Sequence, residues 1–347
     1  MIRICTALSR AGYHVTLIGR NKRPSPALTE RPFRQKRLFC FFRKGKFFYI
    51  EYNLRLFLYL CWMPADVFCA IDLDTILPVY LASRLRKVKR VYDAHELFCE
   101  MEEVVSRPAI YKLWKKIERF CVPKFPHGYT IGDSYAEEFR SQYGVHYAIV
   151  RNATVLHEVP FTEPAPEHYI LYQGAVNEGR AFESLIPAMK NISAPCIICG
   201  EGNFYEQTKA LVQEYQLQSN VQFKGYVPPE QLRHYTQKAY IGLTLFTHQG
   251  KSNYLSMANR FFDYMHVGIP QIAMNFPEYR KINEEFEIAV LINEASVEEI
   301  SEALHQLLNN NILWKRLRDN TLLARKKYNW QEQEKTLIAF YHSLLDH

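Results

Sequence analysis

Short apolar runs alternate with segments of helical spacing through the second half of the chain, and this alternation restricts the possible folds more than any other feature. The segment 169–180 shows it first: the apolar run YILY ends at a glycine turn, and apolar residues recur at helical spacing from residue 181. Similar pairs follow as far as residue 291. Buried parallel strands are continuously apolar and need helical crossovers. The alternation therefore predicts an α/β fold with doubly wound parallel sheets.

The first half repeats this alternation but opens in a different way. Ile2, Cys5 and Leu8 share one face of a helix, so the chain is expected to start on a helix, with its first strand at His14–Ile18. A doubly wound sheet normally has a strand and a glycine loop before its first helix, and we expect neither in this sequence. Either the true start lies upstream, or the sheet lacks its middle strand.

Residues 20–46 contain three prolines and many basic and aromatic residues. Proline breaks helices, so this segment is expected to form a loop and then a short hairpin of Leu38–Phe42 and Phe47–Ile50. A helix is expected next, at Tyr52–Leu60. Three helices are expected to finish the chain, near 297–308, 311–326 and 331–345.

Domain boundaries follow from length and from one proline-containing segment. A chain of 347 residues fits two domains. Residues 153–168 have no periodicity and contain three prolines, which favours a linker. We expect an N-terminal domain at 1–152, a C-terminal domain at 169–326, and a final helix at 327–347 that packs back toward the N-terminal domain. Two facing domains of this type have a cleft between them, where ligands are expected to bind.

Charge is distributed unevenly along the chain. The net charge is +7, yet residues 1–64 contain thirteen Lys and Arg against only Glu30 and Glu51. A basic segment on an otherwise mildly acidic protein is typical of binding to a polyanion or to an anionic membrane surface. The candidate contacts for a membrane or an acceptor are Arg34, Lys36, Arg37, Arg43, Lys44 and Lys46. A solvated basic loop is the alternative, and nucleic acid is not expected because no nucleic-acid motif accompanies the charge.

The remaining composition favours a cytoplasmic protein. The eight cysteines are scattered through apolar runs, as expected for reduced thiols, and Cys196-Ile-Ile-Cys199 falls inside a strand, where no redox or metal role is expected. No signal peptide is expected at the start of the sequence. The most apolar stretch, Phe47–Met63, is shorter than the ~20 residues of a membrane span. We expect a protein that is either free in the cytoplasm or peripherally bound to the inner face of the membrane.

Glycine turns after two apolar strands provide candidate phosphate contacts. Gly174 ends the first strand of the second half, and Arg180 stands where the next helix begins. A helix N-terminus offers free N–H groups and a partial positive charge to an anion. Gly200 and Gly202 follow the strand at 194–199 and let the backbone approach a ligand closely. A tight turn without a ligand is the alternative for each of them.

Two further segments carry groups suited to a nucleotide. Asn259, Arg260 and Asp263 lie within one turn at the start of a helix, where a carboxylate can accept two ribose hydroxyls and an arginine can hold a diphosphate. Tyr226 and Val227 lie in a glycine–aromatic turn after a strand, where main-chain groups can pair with a base edge and a ring can stack on it. An ordinary first helical turn is the alternative for the former segment.

His95 and Glu96 follow a strand of the first half and are the candidate catalytic residues. An imidazole can exchange a hydrogen bond with a sugar hydroxyl, and a neighbouring carboxylate can orient that imidazole. A structural histidine is the alternative. Asp72-Leu73-Asp74 also follows a strand, and we interpret it as a helix cap and turn and not as a metal site.

The order of these segments resembles that of a known enzyme family. YQGAVNEGR, IICGEG, VQFKGYVPPEQL and NRFFDYMHVGIPQIA occur in order in the second half, and RICTALSRAGYHVTLIG, AIDLDTILP and VYDAHEL in the first. This series covers nearly the whole chain and resembles the family-four retaining glycosyltransferases. The resemblance implies the GT-B fold of two facing Rossmann-like domains, with an acceptor domain in the first half and a donor domain in the second.

The resemblance also implies an activity, which is transfer of a sugar from a nucleotide-diphosphate sugar to a hydroxyl of a glycan or lipid-linked acceptor, with retention and without a metal or cofactor. Synthesis of a cell-surface polysaccharide or glycolipid is the expected context. His95 matches the family's N-terminal histidine. The family's basic pair falls on Ala175 and Arg180, and its glutamate pair on Leu255 and Asp263. The alternative is a non-catalytic or truncated GT-B-like subunit that binds a nucleotide sugar or a partner. It is favoured by the expected absence of the first strand and its glycine loop and by the replacement of one member of each pair.

Overall fold

The computed structural model of the protein describes residues 1–21, 27–157, 168–247 and 250–346. Most of the linker expected at 153–168 therefore lies outside the described residues. The chain divides into two compact units. The first unit consists of Met1–Arg151 and Gln333–His347, and the second consists of Asn152–Glu332.

The described residues of the first unit form two parallel sheets. Its strands are β1 (Thr16–Arg20), β2 (Arg34–Leu38), β3 (Val67–Ile71), β4 (Lys89–Ala94), β5 (His127–Thr130) and β6 (Ala148–Ile149). β1 and β2 form one sheet, and β3, β4, β5 and β6 form the other in that order. The helices of its N-terminal part are α1 (Ile2–Arg10), α2 (Gly45–Trp62), α3 (Leu73–Arg86), α4 (Glu102–Val105), α5 (Pro108–Cys121) and α6 (Asp133–Tyr143). The helix predicted at the start of the sequence is confirmed.

The hairpin predicted for Leu38–Phe42 and Phe47–Ile50 is wrong. β2 instead pairs with β1 in parallel, with Thr16 beside Arg34, and residues 47–50 belong to α2. Burial explains the error, because the buried residues of α2 recur every fourth position and so form one helical face. They are Phe48, Tyr52, Leu56 and Leu60.

The second unit is built on one parallel sheet, and its strand–helix alternation is confirmed. Its strands are β7 (Ile170–Gln173), β8 (Cys196–Cys199), β9 (Val221–Gly225), β10 (Ile241–Thr244), β11 (Gln271–Met274) and β12 (Ala289–Ile292). They are arranged in the order β12-β11-β10-β7-β8-β9. The helices are α7 (Phe182–Ala188), α8 (Tyr205–Glu214), α9 (Pro229–Lys238), α10 (Lys251–Tyr254), α11 (Asn259–Val267), α12 (Pro277–Phe286), α13 (Val297–Asn309) and α14 (Asn311–Ala324). α15 (Trp330–Leu345) follows, and its residues from Gln333 onward belong to the first unit.

α11 is fixed against the centre of the second sheet. The Tyr264 hydroxyl donates a hydrogen bond to the Leu171 carbonyl of β7 at 2.9 Å. Gly242 of β10 leaves room for the Tyr264 ring, since a Cβ at that position would lie 2.5 Å from the ring atoms. This packing holds the first turn of α11 close to the carboxyl ends of β7 and β10, where the candidate donor residues lie.

Candidate functional site

The carboxyl ends of β7 and β10 flank the point at which the second sheet changes its winding direction. β8 and β9 extend the sheet on one side of β7, whereas β10, β11 and β12 extend it on the other. The loops that follow β7 and β10 therefore lead away from each other. In open α/β sheets, ligands bind in the crevice that opens at such a switch point.

Three loops at this edge are hydrogen-bonded to one another. The Gly174 amide donates to the Cys199 carbonyl at 3.0 Å, and the Gly200 amide donates to the Gly225 carbonyl at 2.8 Å. Gly200 has a φ of +154°, and a Cβ there would lie 1.8 Å from the Gly174 carbonyl oxygen. At Gly202, a Cβ would lie 2.2 Å from atoms of the loop after β7. These glycines therefore let neighbouring loops pack closely against one another, and this packing fixes the shape of the edge.

Arg260 links the two strand ends at the switch point. Its guanidinium donates to the carbonyl of Gln173 at 3.2 Å and to the carbonyl of Leu245 at 3.3 Å, and only 7% of the residue is exposed. Within the described part of the chain, no carboxylate pairs with this guanidinium, and its Nε has no hydrogen-bond partner. A buried charge normally has an ionic partner. The site therefore has the positive charge and the free N–H group that an anion requires.

Arg180 and Arg260 both lie against the ring of Phe246. The guanidinium carbons of Arg180 and Arg260 are 4.4 Å and 4.8 Å from the ring centroid of Phe246, which follows β10. Both arginines also act electrostatically on Tyr279. The structure thus brings together two candidate phosphate-binding cations that are eighty positions apart in the sequence.

Asp263 lies one helical turn after Arg260 and has a defined neighbour. Its Oδ2 accepts a hydrogen bond from the Gln173 side-chain amide at 2.9 Å. The Gln173 amide oxygen in turn accepts from the Thr236 hydroxyl at 2.7 Å. These two hydrogen bonds in series fix the orientation of the Asp263 carboxylate at the sheet edge. Asn259, the first residue of α11, is exposed.

The turn after β9 contains an interaction that the sequence did not predict. The Tyr226 amide donates to Oε1 of Glu201 at 3.2 Å, and 69% of Tyr226 is exposed. Val227 is half-buried beside it. Glu201 is therefore a further member of the site. The signal for it is a charged residue between two glycines that follow a strand.

His95 is held from two directions in the first unit. Its Nε2 lies 2.9 Å from Oδ1 of Asp93, and its amide donates to Oδ1 of Asp72 at 2.8 Å. The Tyr129 hydroxyl donates to the second oxygen of Asp93 at 3.0 Å. Asp93 is only 1% exposed, so this carboxylate is a fixed anchor for the imidazole.

Two expectations for this cluster require correction. Asp93, and not Glu96, is the carboxylate that orients His95, and among the described residues His95 makes no hydrogen bond with the exposed Glu96. Asp72 stands at the N-cap position of α3, but its side chain makes no capping hydrogen bond because its carboxylate binds the His95 amide. The missed signal is topological, since carboxylates at the ends of adjacent parallel strands lie side by side.

The titratable groups around His95 have raised pKa values. Burial raises the pKa of Asp72 to about 7 and that of Asp74 to about 6. Burial also raises the pKa of Glu96, with a contribution from Glu103. Burial opposes the charge on His95, but the hydrogen bond and the charge of Asp93 outweigh it, so the pKa of His95 is raised. This edge therefore retains protons at a higher pH than exposed side chains of the same types.

The predicted basic residues lie on β2 and on the segment that leads into α2. Arg37 is half-buried, whereas Arg34, Lys36, Arg43, Lys44 and Lys46 are exposed. Exposed rings lie in the same part of the chain, with 72% of Phe41 and 55% of Phe47 exposed. Of the helices in the described residues, none has both the length and the apolar character that crossing a membrane requires.

The cysteines are free thiols, as predicted. Cys196 and Cys199 both lie in β8, where burial raises the pKa of the former to about 12 and that of the latter to about 11. Such thiols are not activated for redox chemistry. Within the described ranges, no group of His, Cys, Asp and Glu side chains could hold a metal ion.

Comparison with known families finds a similarity that lies in the second unit. Residues 158–323 match the model of glycosyl transferases group 1. This match covers almost the whole second unit, including the two arginines and the three loops of its carboxyl edge. No curated protein matches the chain.

Solved structures show that the fold is the GT-B fold, with two Rossmann-like units. Sucrose-phosphate synthase from Thermosynechococcus elongatus has a TM-score of 0.81 at 17% identity, covering 99% of this chain and 92% of that one. A glycosyltransferase from Rickettsia africae ESF-5 has a TM-score of 0.74 at 11% identity, covering 100% and 94%. Alr3699/HepE from Anabaena, in complex with UDP-glucose, has a TM-score of 0.71 at 10% identity, covering 95% and 100%.

Proposed function

We propose that this protein is a retaining glycosyltransferase that binds a nucleotide-diphosphate sugar at the carboxyl edge of the six-stranded sheet. The observation that carries the proposal is the buried Arg260 guanidinium, which bridges the Gln173 and Leu245 carbonyls without a carboxylate partner in the described residues. The match of this unit to glycosyl transferases group 1 supports a nucleotide-diphosphate sugar as the anion. The bound structure of Alr3699/HepE supports UDP-glucose as the first donor to test.

The diphosphate would lie between the two arginines and the glycine loops. Arg260 and Arg180 would compensate its charge, and the Gly174 loop would offer main-chain contacts. These groups are already in place, so they would also stabilise the charge that develops on the leaving diphosphate during transfer. Because they supply this stabilisation, the reaction would not require a metal.

The nucleoside would extend toward α11 and the turn after β9. Asp263 would accept the ribose hydroxyls, with Asn259 beside it at the start of α11. Tyr226 and Val227 would face the base. Gly200 and Gly202 would contribute by fixing the loops that surround it.

His95 and Glu96 are our candidates for contacts with the transferring sugar or the acceptor. A protonated His95, held by Asp93, can donate a hydrogen bond to a sugar oxygen. Burial raises the pKa of Glu96, so this carboxyl would keep its proton to a higher pH than an ordinary glutamate and could share it with a hydroxyl.

The acceptor would be a glycan or a lipid-linked sugar in the synthesis of a cell-surface polysaccharide or glycolipid. The exposed basic and aromatic residues between β2 and α2 support peripheral binding to the anionic inner face of the membrane. Such binding would place the protein next to a lipid-linked acceptor on the cytoplasmic side.

A thermal-shift panel tests the donor site. UDP, GDP and ADP are compared with their nucleosides and with the corresponding diphosphate glucoses, and we expect one diphosphate series to raise the melting temperature while its nucleoside does not. Release of the diphosphate from the sugar nucleotide is then measured with and without glycan acceptors. Binding without release in any condition would favour the non-catalytic subunit, which the replacements Ala175 and Leu255 support. A panel in which no diphosphate changes the melting temperature would contradict both the enzyme and a subunit that binds a nucleotide sugar.

A further inference from the structure

Two aromatic rings lie against the buried Arg260 guanidinium. Its central carbon is 4.6 Å from the ring centroid of Tyr172 in β7 and 4.8 Å from that of Phe246, which follows β10. Both rings are themselves buried. The guanidinium carbon of Arg180 lies 4.4 Å from the centroid of Phe246. One ring is therefore shared by both candidate phosphate-binding cations, and the second ring contacts the more deeply buried of the two.

The tyrosine hydroxyls around Arg260 supply no negative charge. Three tyrosines act electrostatically on its guanidinium, and they are Tyr172, Tyr264 and Tyr279. Burial raises the pKa of Tyr279 to about 12 and also raises the pKa of Tyr264. The Tyr172 hydroxyl donates a hydrogen bond to the Ala175 carbonyl at 2.7 Å, so it keeps its proton. All three phenols are therefore neutral at physiological pH.

An aromatic ring can stabilise a buried cation without neutralising it. The face of the ring attracts the cation through its quadrupole, but the ring carries no net charge. A carboxylate in the same place would cancel the charge of the arginine and would compete with an incoming anion. Rings also exclude water, and a charge in a water-excluded site interacts more strongly with its ligand. A cation held by rings is thus kept desolvated, oriented and available.

We propose that Tyr172 and Phe246 are positioning residues of the anion site, where they take the place of a counter-ion for the Arg260 guanidinium. Phe246 would in addition hold Arg180, so that both cations reach the same diphosphate. This role rests on the proposed function for the identity of the anion. The interaction of the rings with Arg260 belongs to the ligand-free protein and is measured without any nucleotide.

A double-mutant cycle in the absence of ligand tests the interaction between ring and cation. Urea unfolding is measured for the wild type, Phe246→Leu, Arg260→Met and the double variant. Phe246→Leu should raise the equilibrium constant of unfolding at least about threefold more in the wild-type background than in the Arg260→Met background, because leucine has no quadrupole. Strictly additive effects of the two substitutions would overturn the proposal.

A matched ring elsewhere in the second unit provides the control for this cycle. Phe286 of α12 is half-buried, and its ring packs against Tyr328 at 6.0 Å between centroids. Phe286→Leu should raise the equilibrium constant of unfolding by the same factor with and without Arg260→Met. If the cycle with Phe286 showed the same coupling as the cycle with Phe246, the coupling would come from general loosening of the unit, and the proposal would fail.

Fluorinated rings separate the quadrupole of Phe246 from the space that its ring fills. Site-specific replacement of Phe246 by monofluorophenylalanine and by trifluorophenylalanine weakens the quadrupole in steps while nearly keeping the size of the ring. We expect the affinity for the nucleoside diphosphate found in the thermal-shift panel to fall with each step, by about three- to tenfold in the trifluoro variant. Affinity for the corresponding nucleoside should stay unchanged. Diphosphate affinity that is the same in all three proteins would refute the positioning role.

These measurements distinguish failure of the positioning role from failure of the proposed function. If the wild type bound no nucleoside diphosphate, the proposed function would fail, and the cycle would still decide whether the rings hold Arg260. If the wild type bound a diphosphate with an affinity that fluorination of Phe246 does not change, the donor site would stand and the positioning role would be refuted.

Discussion

The carboxyl edges of the two units differ in charge although both belong to parallel sheets. In the second unit, the edge is formed by glycine loops around Arg180 and Arg260. In the first unit, it is formed by buried carboxyl groups around His95, where Asp93 holds the imidazole and Asp72 accepts a hydrogen bond from the His95 amide. One edge therefore carries permanent positive charge, and the other carries exchangeable protons.

This difference shows how one architecture supports two kinds of chemistry. A fixed guanidinium and oriented amides suit a ligand with permanent negative charge, such as a diphosphate. Groups that titrate near neutral pH suit a neutral hydroxyl, with which they can exchange hydrogen bonds or protons. The strands provide the positions, and the residues directly after each strand determine what can bind.

The largest expected effect is the loss of the buried cation. Arg260→Met should weaken binding of the nucleoside diphosphate by about 30- to 1,000-fold, because removing one partner of a desolvated charge pair costs about 2–4 kcal/mol. Titration calorimetry with the diphosphate identified in the panel checks this. Arg260→Lys keeps the charge and should lose less, and Arg316→Met is the control on the exposed surface. If the wild type and these three variants bound the diphosphate with equal affinity, the edge of the second unit would not bind anions through Arg260.

The next effect concerns the backbone of the same edge. Gly200→Ala should destabilise the second unit by about 2–4 kcal/mol, because the new Cβ cannot occupy space held by the Gly174 carbonyl. Gly19→Ala is the control, since a Cβ there meets nothing within 4 Å. Urea unfolding of both variants provides the comparison. A Gly200→Ala chain as stable as the control would mean that the loops are not rigidly joined.

The buried carboxyl groups at the carboxyl edge of the first unit should make the stability of the protein depend on pH. Between pH about 4 and about 7, unfolded Asp72 has lost its proton while folded Asp72 retains it, so the free energy of unfolding falls as pH rises. The raised pKa of His95 acts in the same direction. Asp72→Asn can still accept the His95 amide and should remove about 1–3 kcal/mol of this dependence. Unfolding curves measured across this pH range check the prediction, and Asp66→Asn, at an exposed position, is the control. If the free energy of unfolding of Asp72→Asn depended on pH as strongly as that of the wild type and the control, Asp72 would not cause the dependence.

Asp93, which holds the His95 imidazole, should raise the pH at which His95 titrates. Asp93→Asn removes the charge that raises the pKa of His95, so the His95 titration observed by NMR should move to lower pH. Any transfer activity that needs protonated His95 should fall about tenfold at neutral pH. Tyr129→Phe removes a hydrogen bond to Asp93 but keeps the charge of Asp93. The His95 titration in this variant should therefore stay close to that of the wild type. Identical His95 titrations in wild type and Asp93→Asn would rule out this role.

The smallest expected effect lies outside both edges. A basic residue near an anionic bilayer contributes about 1 kcal/mol, so Lys46→Ala should weaken binding to phosphatidylserine vesicles about fivefold. Lys315→Ala removes a lysine of the second unit that is also exposed and should leave binding unchanged. Co-sedimentation measures both. Equal losses would indicate general attraction by net charge, and no loss in either would dismiss the membrane surface.

The sequence predicted the elements of the second unit well because local periodicity specifies them. The start of α11 at Asn259 and the glycines after β7 and β8 were predicted correctly, since a buried strand followed by a glycine turn is a local pattern. Contacts that depend on folding were not predicted. Glu201 binds the Tyr226 amide across two loops, and Asp93 holds His95 although the sequence pointed to the adjacent Glu96.

The prediction for residues 38–50 failed for a related reason. The aromatic residues there favour strands, which led to the hairpin, but the buried face of α2 and the parallel partner of β2 produce a different structure. Tertiary contacts, and not local propensity, select the structure of such a segment.

The most direct test of the account is the difference in affinity between a nucleoside diphosphate and its own nucleoside, measured by titration calorimetry on the wild-type chain and on Arg260→Met. We expect the diphosphate to bind the wild type at least about 100-fold more tightly than the nucleoside, and Arg260→Met to remove most of this difference. A nucleoside that binds as tightly as its diphosphate, or a difference that survives in Arg260→Met, would contradict the claim that this edge is built around a phosphate-binding cation.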